Sequence, residues 1–189
     1  NGGMAAVLKL EADALETICD QINDNDQIEG TVEVALLNAP GQVVVSGATT
    51  AIEQAVDRAK EEGALKAVSL DVSGPWHSRY MAPAADRLKS ALGAIEWSGG
   101  AALVSNVSAD ELGDANPTQR LIDQLEKPVR WQESINHMIE QGVDTFVEAG
   151  PGDSLSGMIN RIARNHDTDV NIHSTDTFEQ TEETLEAIQ

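Results

Sequence analysis

Val32-Glu-Val-Ala-Leu-Leu-Asn38-Ala-Pro-Gly-Gln42-Val-Val-Val-Ser46 holds two apolar runs, rich in valine, on either side of four residues that suit a tight turn. β-Branched residues fit the pleated, half-buried surface of a sheet, whereas Asn, Pro and Gly favour turn dihedrals. The stretch therefore predicts a hairpin: strands at 32–37 and 42–46 joined through Asn38-Ala39-Pro40-Gly41. Upstream, residues 11–23 place Ala12, Leu15, Ile18, Cys19 and Ile22 at helical spacing, with acids in the first turn where the helix dipole favours them. A short strand at 4–10 precedes that helix, and the polar run Asn23-Asp-Asn-Asp-Gln27 ends it. Downstream, a helix at 50–62 stops at Gly63 and a strand at 65–72 follows. The order is β-α-β-β-α-β, the ferredoxin-like unit, and it assigns residues 4–73 to one small subdomain.

Past residue 73 the rhythm changes to alternating helices and strands. Helices are expected at 82–93, 118–126, 131–141, 154–165 and 179–188, with strands at 102–105, 144–148 and 170–174. This is part of an α/β architecture, and its strands at 102–105 and 144–148 are too few for a complete sheet. Residues 74–189 form the second expected segment.

Charge narrows the function classes. The 189 residues carry 32 acidic and 12 basic side chains, for a formal net charge of −20. Phosphate backbones and anionic lipid surfaces are bound by clustered Lys and Arg, so neither nucleic acid nor membrane is an expected partner. No apolar run approaches the length needed to cross a bilayer, and residues 1–4 lack a signal-peptide layout, so a cytoplasmic location is expected. With five lysines among so many acids, two readings stay open: a surface adapted to high salt, or moderate acidity with no such history. Cys19 is the single cysteine and lies on the apolar side of its helix, which predicts a buried structural thiol.

The chemistry centres on Val72-Ser-Gly-Pro-Trp76-His77-Ser78, a histidine at a strand end, inside a turn, before an amphipathic helix. Imidazole takes and returns a proton near neutral pH, and a rigid turn is a suitable mount for a positioned base. His137, His166 and His173 have no such setting, and their spacings to each other and to Cys19 do not fit zinc; no metal site is expected. Gly152-Asp-Ser154-Leu-Ser156 approaches G-x-S-x-G but ends in serine, so Ser154 is expected to be the N-cap of the following helix. The acidic run 20–26 has Ile22 at a ligand position and no central glycine, and fails as a calcium loop.

Four motifs then occur in a familiar order: Asn38-Ala-Pro-Gly-Gln-Val-Val-Val-Ser-Gly47, the His77 segment continuing through Met81-Ala-Pro-Ala-Ala-Asp-Arg-Leu88, Gln124 with Pro128-Val-Arg-Trp131, and Glu148-Ala-Gly-Pro-Gly152. Together they resemble the C-terminal half of the malonyl-CoA:acyl carrier protein transacylases, acyltransferases of fatty acid biosynthesis. The resemblance runs from Gly3 to about Ile162. It implies that 74–189 is the C-terminal segment of a hydrolase-like large subdomain. It also implies malonyl-CoA as substrate, acyl carrier protein as partner and no permanently bound cofactor. His77 matches the family's base, and Gln124 the residue whose carbonyl orients it. Asn38, Trp76 and Met81 match positions around the acyl cleft, although a purely turn-forming role for Asn38 stays open. A bulky Trp76 implies a narrow pocket that prefers malonyl to methylmalonyl.

The resemblance also exposes departures. The serine elbow, the arginine that pairs with the malonyl carboxylate and the oxyanion donors of the family are not in this sequence; Arg79 and Arg130 lie near the motifs without matching that arginine. The chain is therefore expected to lack the N-terminal half of its enzyme and to be inactive alone. Two alternatives remain: a non-catalytic ferredoxin-like binding module, and an acyltransferase domain of a polyketide or polyunsaturated fatty acid synthase.

Overall fold

Apolar residues at a period of two give Gly2–Leu8 (β1) two usable faces, Ala5 and Val7 on one and Met4 and Ala6 on the other. Around β1 a computed structural model, which describes residues 2–113, 116–166 and 169–188, sets Val32–Ala39 (β2), Gln42–Ala48 (β3) and Lys66–Ser69 (β4). The sheet order is β2-β3-β1-β4 and every neighbouring pair is antiparallel. Helices Ala12–Asn23 (α1) and Thr49–Glu61 (α2) bury their apolar stripes in one core with this sheet, where Leu15, Ile22, Val32 and Val45 are fully buried. Each such side chain contributes about 1.5–3 kcal/mol relative to exposure. Gly47 belongs to the same construction. A Cβ there would stand 2.1 Å from the Thr31 carbonyl oxygen, so the close approach of β3 to the start of β2 requires glycine.

Three elements depart from expectation. The hairpin turn is only Pro40-Gly41, because Ala39 already pairs with Gln42; proline fixes its own φ and Gly41 takes φ 65°. Asn38 is thereby moved out of the turn into β2, at a register shift between Leu37 and Ala39. The strand expected at 65–72 ends at Ser69, and its last ladder bond runs from Leu70 N–H to the Met4 carbonyl. No strand forms at 102–105. That apolar run makes a single bridge, Val104 to Glu111, because the chain doubles back through Ala109 at φ 55°.

Two compact units are present, Asn1–Trp131 and Gln132–Gln189. The first extends well beyond residue 73 because later segments return to the four-stranded sheet. A 3-10 turn at Arg79–Met81 leads into Ala82–Leu92 (α3), which packs Ala85 and Leu92 against Ile122 of Pro117–Glu126 (α4). Beyond α4, Val129 N–H donates to the Ala35 carbonyl and Leu37 N–H to the Val129 carbonyl, at 2.8 and 2.9 Å, so the β2 edge is covered.

Trp131–Glu140 (α5) leads into the second unit. There Thr145–Glu148 (β5) pairs in parallel with Asn171–Ser174 (β6) across Ser154–Ala163 (α6), and Phe178–Ala187 (α7) follows behind a Thr177/Gln180 capping box. The N-cap of α6 is Asp153, and Ser154 is already helical. The expected serine cap is displaced because Glu148 reaches the helix start: its carboxylate accepts from Leu155 N–H and Ser156 N–H at 3.1 and 2.7 Å. Among the described residues no helix is long and apolar enough to cross a membrane.

Candidate active site

His77 does not sit directly at the end of β4; it stands in the turn that separates β4 from the 3-10 turn at Arg79–Met81. Its φ is 59°, a left-handed conformation that costs a non-glycine residue about 1–3 kcal/mol and persists only where surroundings impose it. Those surroundings are visible on both sides. The Pro75 ring lies over β1 at Gly2, where a Cβ would come within 2.9 Å of it. After His77, the Tyr80 hydroxyl accepts from Thr31 N–H at 2.8 Å, and Arg79 pairs with Glu33 through its guanidinium and backbone N–H. The turn is thus fastened to the sheet at β1 and at the start of β2.

The half-buried imidazole places Nδ1 2.7 Å from the main-chain carbonyl oxygen of Gln124. A carbonyl only accepts, so Nδ1 carries a proton, and in the neutral imidazole the lone pair is on Nε2. That carbonyl is available for a reason written in the sequence. Gln124 lies in the last turn of α4, and its ordinary helical partner would be the N–H of residue 128, which is Pro128 and has none. Lys127, before the proline, is already extended at φ −108° and ψ 152°.

The remaining site residues are less tightly joined. Trp76 precedes His77 and is 38% exposed, while Met81 is buried at the end of the 3-10 turn. Asn38 belongs to the strand that meets the end of α4, where Val129 bonds to Ala35 and Leu37 of β2. Beside Gln124 opens a concavity of about 670 Å³, bordered by Trp97, Leu103, Arg120 and Leu121. Arg79 is engaged by Glu33, and Arg130 donates to the Ser108 carbonyl at 3.1 Å. His166 Nε2 meets Asn136 Oδ1 at 2.9 Å within the second unit. Cys19 is buried, and burial, followed by the nearby charges of Asp20, Glu16 and Glu33, pushes its thiol up to about 12. Pro128, Ser78 and Tyr80 stand inside the motifs, but the sequence gives them no role of their own. The proline was visible as the residue four beyond Gln124, and helix geometry alone would have marked it.

A histidine on a strained turn, hydrogen-bonded through Nδ1 to a carbonyl, has the geometry of half of the nucleophile–base arrangement that acyl-transfer catalysts use. The chain belongs to the acyl transferase domain family, whose model matches residues 1–183. It is 42% identical over 186 residues to a malonyl CoA-acyl carrier protein transacylase of Bacillus subtilis (strain 168), covering 97% of this chain and 57% of that protein. The fold is the mixed α/β fold of solved relatives. A malonyl CoA-acyl carrier protein transacylase from Clostridium perfringens superposes with a TM-score of 0.89 at 36% identity, over 99% of this chain and 57% of that one. A malonyl-transacylase solved in complex with a type II PKS acyl-carrier protein gives 0.90 at 32% identity, over 98% and 58%. The chain thus spans little more than half the length of these relatives.

Proposed function

We propose that this chain is the base-bearing part of a malonyl-CoA:acyl carrier protein transacylase. The observation that carries this reading is the His77 Nδ1–Gln124 carbonyl hydrogen bond, which leaves Nε2 as a proton acceptor. In the complete protein a serine hydroxyl, supplied by the part of the relatives' length not spanned here, gives its proton to His77 Nε2 as its oxygen attacks the thioester carbonyl of malonyl-CoA. The imidazolium returns that proton to the departing coenzyme A thiolate, leaving a malonyl ester. The same histidine then deprotonates the phosphopantetheine thiol of acyl carrier protein, which takes the malonyl group, and the serine oxygen recovers the proton. Trp76, Met81 and Asn38 line the acyl cleft in this reading.

Residues 4–73 are read as a ferredoxin-like subdomain, supported by the β2-β3-β1-β4 order and by two helices sharing one core with the sheet. Residues 74–189 are read as the C-terminal segment of a hydrolase-like subdomain. An acyltransferase serving a polyketide carrier is the second reading, supported by the likeness to the type II PKS complex. A binding module without catalysis has no use for a strained, carbonyl-oriented histidine.

Labelled malonyl-CoA tests the reading directly. The 189-residue chain alone should form no malonyl ester, and a stable ester on Ser154 would overturn the reading. In the complete enzyme, His77→Ala should lower turnover by about 10²–10⁴-fold with little change in Tm. A collapse of stability with activity intact in the folded fraction would make His77 structural.

A further inference from the structure

Ser78 is fully buried, with a relative exposure of 0%, although nothing in the proposed chemistry uses it. A buried hydroxyl needs a partner, and its place in the fold suggests an obvious one. Ser78 occupies the N-cap position of the 3-10 turn at Arg79–Met81, where a serine side chain ordinarily accepts from the following backbone N–H groups. It does not cap. Its Oγ turns the other way and donates to the Pro75 carbonyl at 2.6 Å, spanning Trp76 and His77, while its own carbonyl accepts from Met81 N–H at 2.9 Å.

We infer that Ser78 is a positioning residue for His77. The hydroxyl closes a four-residue loop, Pro75 to Ser78, whose third member is the histidine at φ 59°. Two fixed points hold that loop: the Pro75 ring over Gly2, and the Tyr80 and Arg79 contacts to Thr31 and Glu33. Between those points His77 bonds outward, to the Gln124 carbonyl, while the Ser78 hydroxyl ties the loop to its own backbone. Without it, the left-handed residue loses a restraint that offsets its strain and can relax toward negative φ. Relaxation swings the imidazole away from the Gln124 carbonyl, which then no longer selects the Nδ1–H tautomer. Ser78 thus acts through His77 and touches no reacting atom.

The inference rests on His77 being the base, and its test separates the two. Imidazole ¹⁵N spectra of the 189-residue chain report the tautomer without any need for turnover. Wild type should show His77 with Nδ1 protonated and Nε2 bare. Ser78→Ala should give a mixture of tautomers, and Ser78→Cys, similar in size but a weaker donor, an intermediate spectrum. In the complete enzyme Ser78→Ala should lower kcat by about 10²-fold with KM for malonyl-CoA unchanged. A wild-type ¹⁵N signature in Ser78→Ala would overturn the proposal, as would an unchanged kcat. Should that variant fail to fold, an unchanged spectrum in Ser78→Cys would overturn it equally. If His77→Ala left transfer intact, it is the reading of the base that would fall, whatever the spectra show.

Discussion

Gln124 contributes its main chain to the site, so the side chain that marks the motif in the sequence is not what holds His77. Gln124→Ala keeps the carbonyl and favours the helix, and turnover of the complete enzyme should stay close to wild type. Pro128→Ala is the sharper change. It restores an N–H at the position where α4 would bond the Gln124 carbonyl, creating a competitor for His77 Nδ1. Turnover should fall by at least about tenfold, and towards about 10⁴-fold if the wrong tautomer comes to dominate. Equal effects of the two substitutions would show that the carbonyl is held independently of the proline. Much of this site was legible in advance: His77 and Gln124 stand in motifs, and the structure joins them. Asn38 was misplaced, because the turn type follows from pairing of Ala39 with Gln42, and a one-residue shift of strand register is invisible in residue types.

Among the elements, β5 and α6 show the structural work done by a motif that the sequence offers only as a resemblance. Glu148-Ala-Gly-Pro-Gly152 places a carboxylate at a strand end and lets the chain fold back so that this carboxylate sits on the start of α6, with Gly150 and Gly152 at φ 150° and 84°. Desolvation pushes the Glu148 pKa up, but the hydrogen bonds from the Ser156 side chain and from the Ser156 and Leu155 N–H groups outweigh it and hold the carboxyl below the ordinary range. A folded value below the unfolded one stabilises the fold at neutral pH, and that contribution disappears as pH falls below about 4.3 and through the lowered value. Hydrogen exchange at Leu155 and Ser156, corrected for intrinsic pH dependence, should therefore lose protection on acidification, and in Glu148→Gln it should not. Identical pH profiles in the two would remove Glu148 from the cap. The α1 and α2 readings succeeded because each has its own periodicity and stop signal, and the hairpin formed with its two strands in place but a shorter turn. The strand at 102–105 failed because a short apolar run becomes a strand only beside another, and this one has Glu111 alone.

For the whole molecule, charge and incomplete packing act together. The four-stranded sheet has a core of its own, with α1 and α2 closing one face and Val129 covering the β2 edge. The second unit rests on a two-stranded parallel sheet, a pairing that ordinarily lies inside a larger sheet with both faces covered. Large apolar side chains remain exposed there, including Val147, Leu155, Phe178 and Leu185. A formal charge of −20 adds self-repulsion across the chain, and at molar salt the Debye length falls to about 3 Å. Hydrogen exchange at low salt should find the β1–β4 ladder well protected and the β5–β6 ladder weakly so, with molar salt raising protection in both and Tm with it. Cys19 offers an independent reading: a buried thiol pushed up to about 12 should resist alkylation at neutral pH until the first unit opens. Strong protection of the β5–β6 ladder at low salt would mean that the second unit is sufficient by itself, and that the exposed apolar residues await a partner other than the rest of the enzyme. A Tm indifferent to salt would instead remove charge repulsion as a term in the stability of this chain.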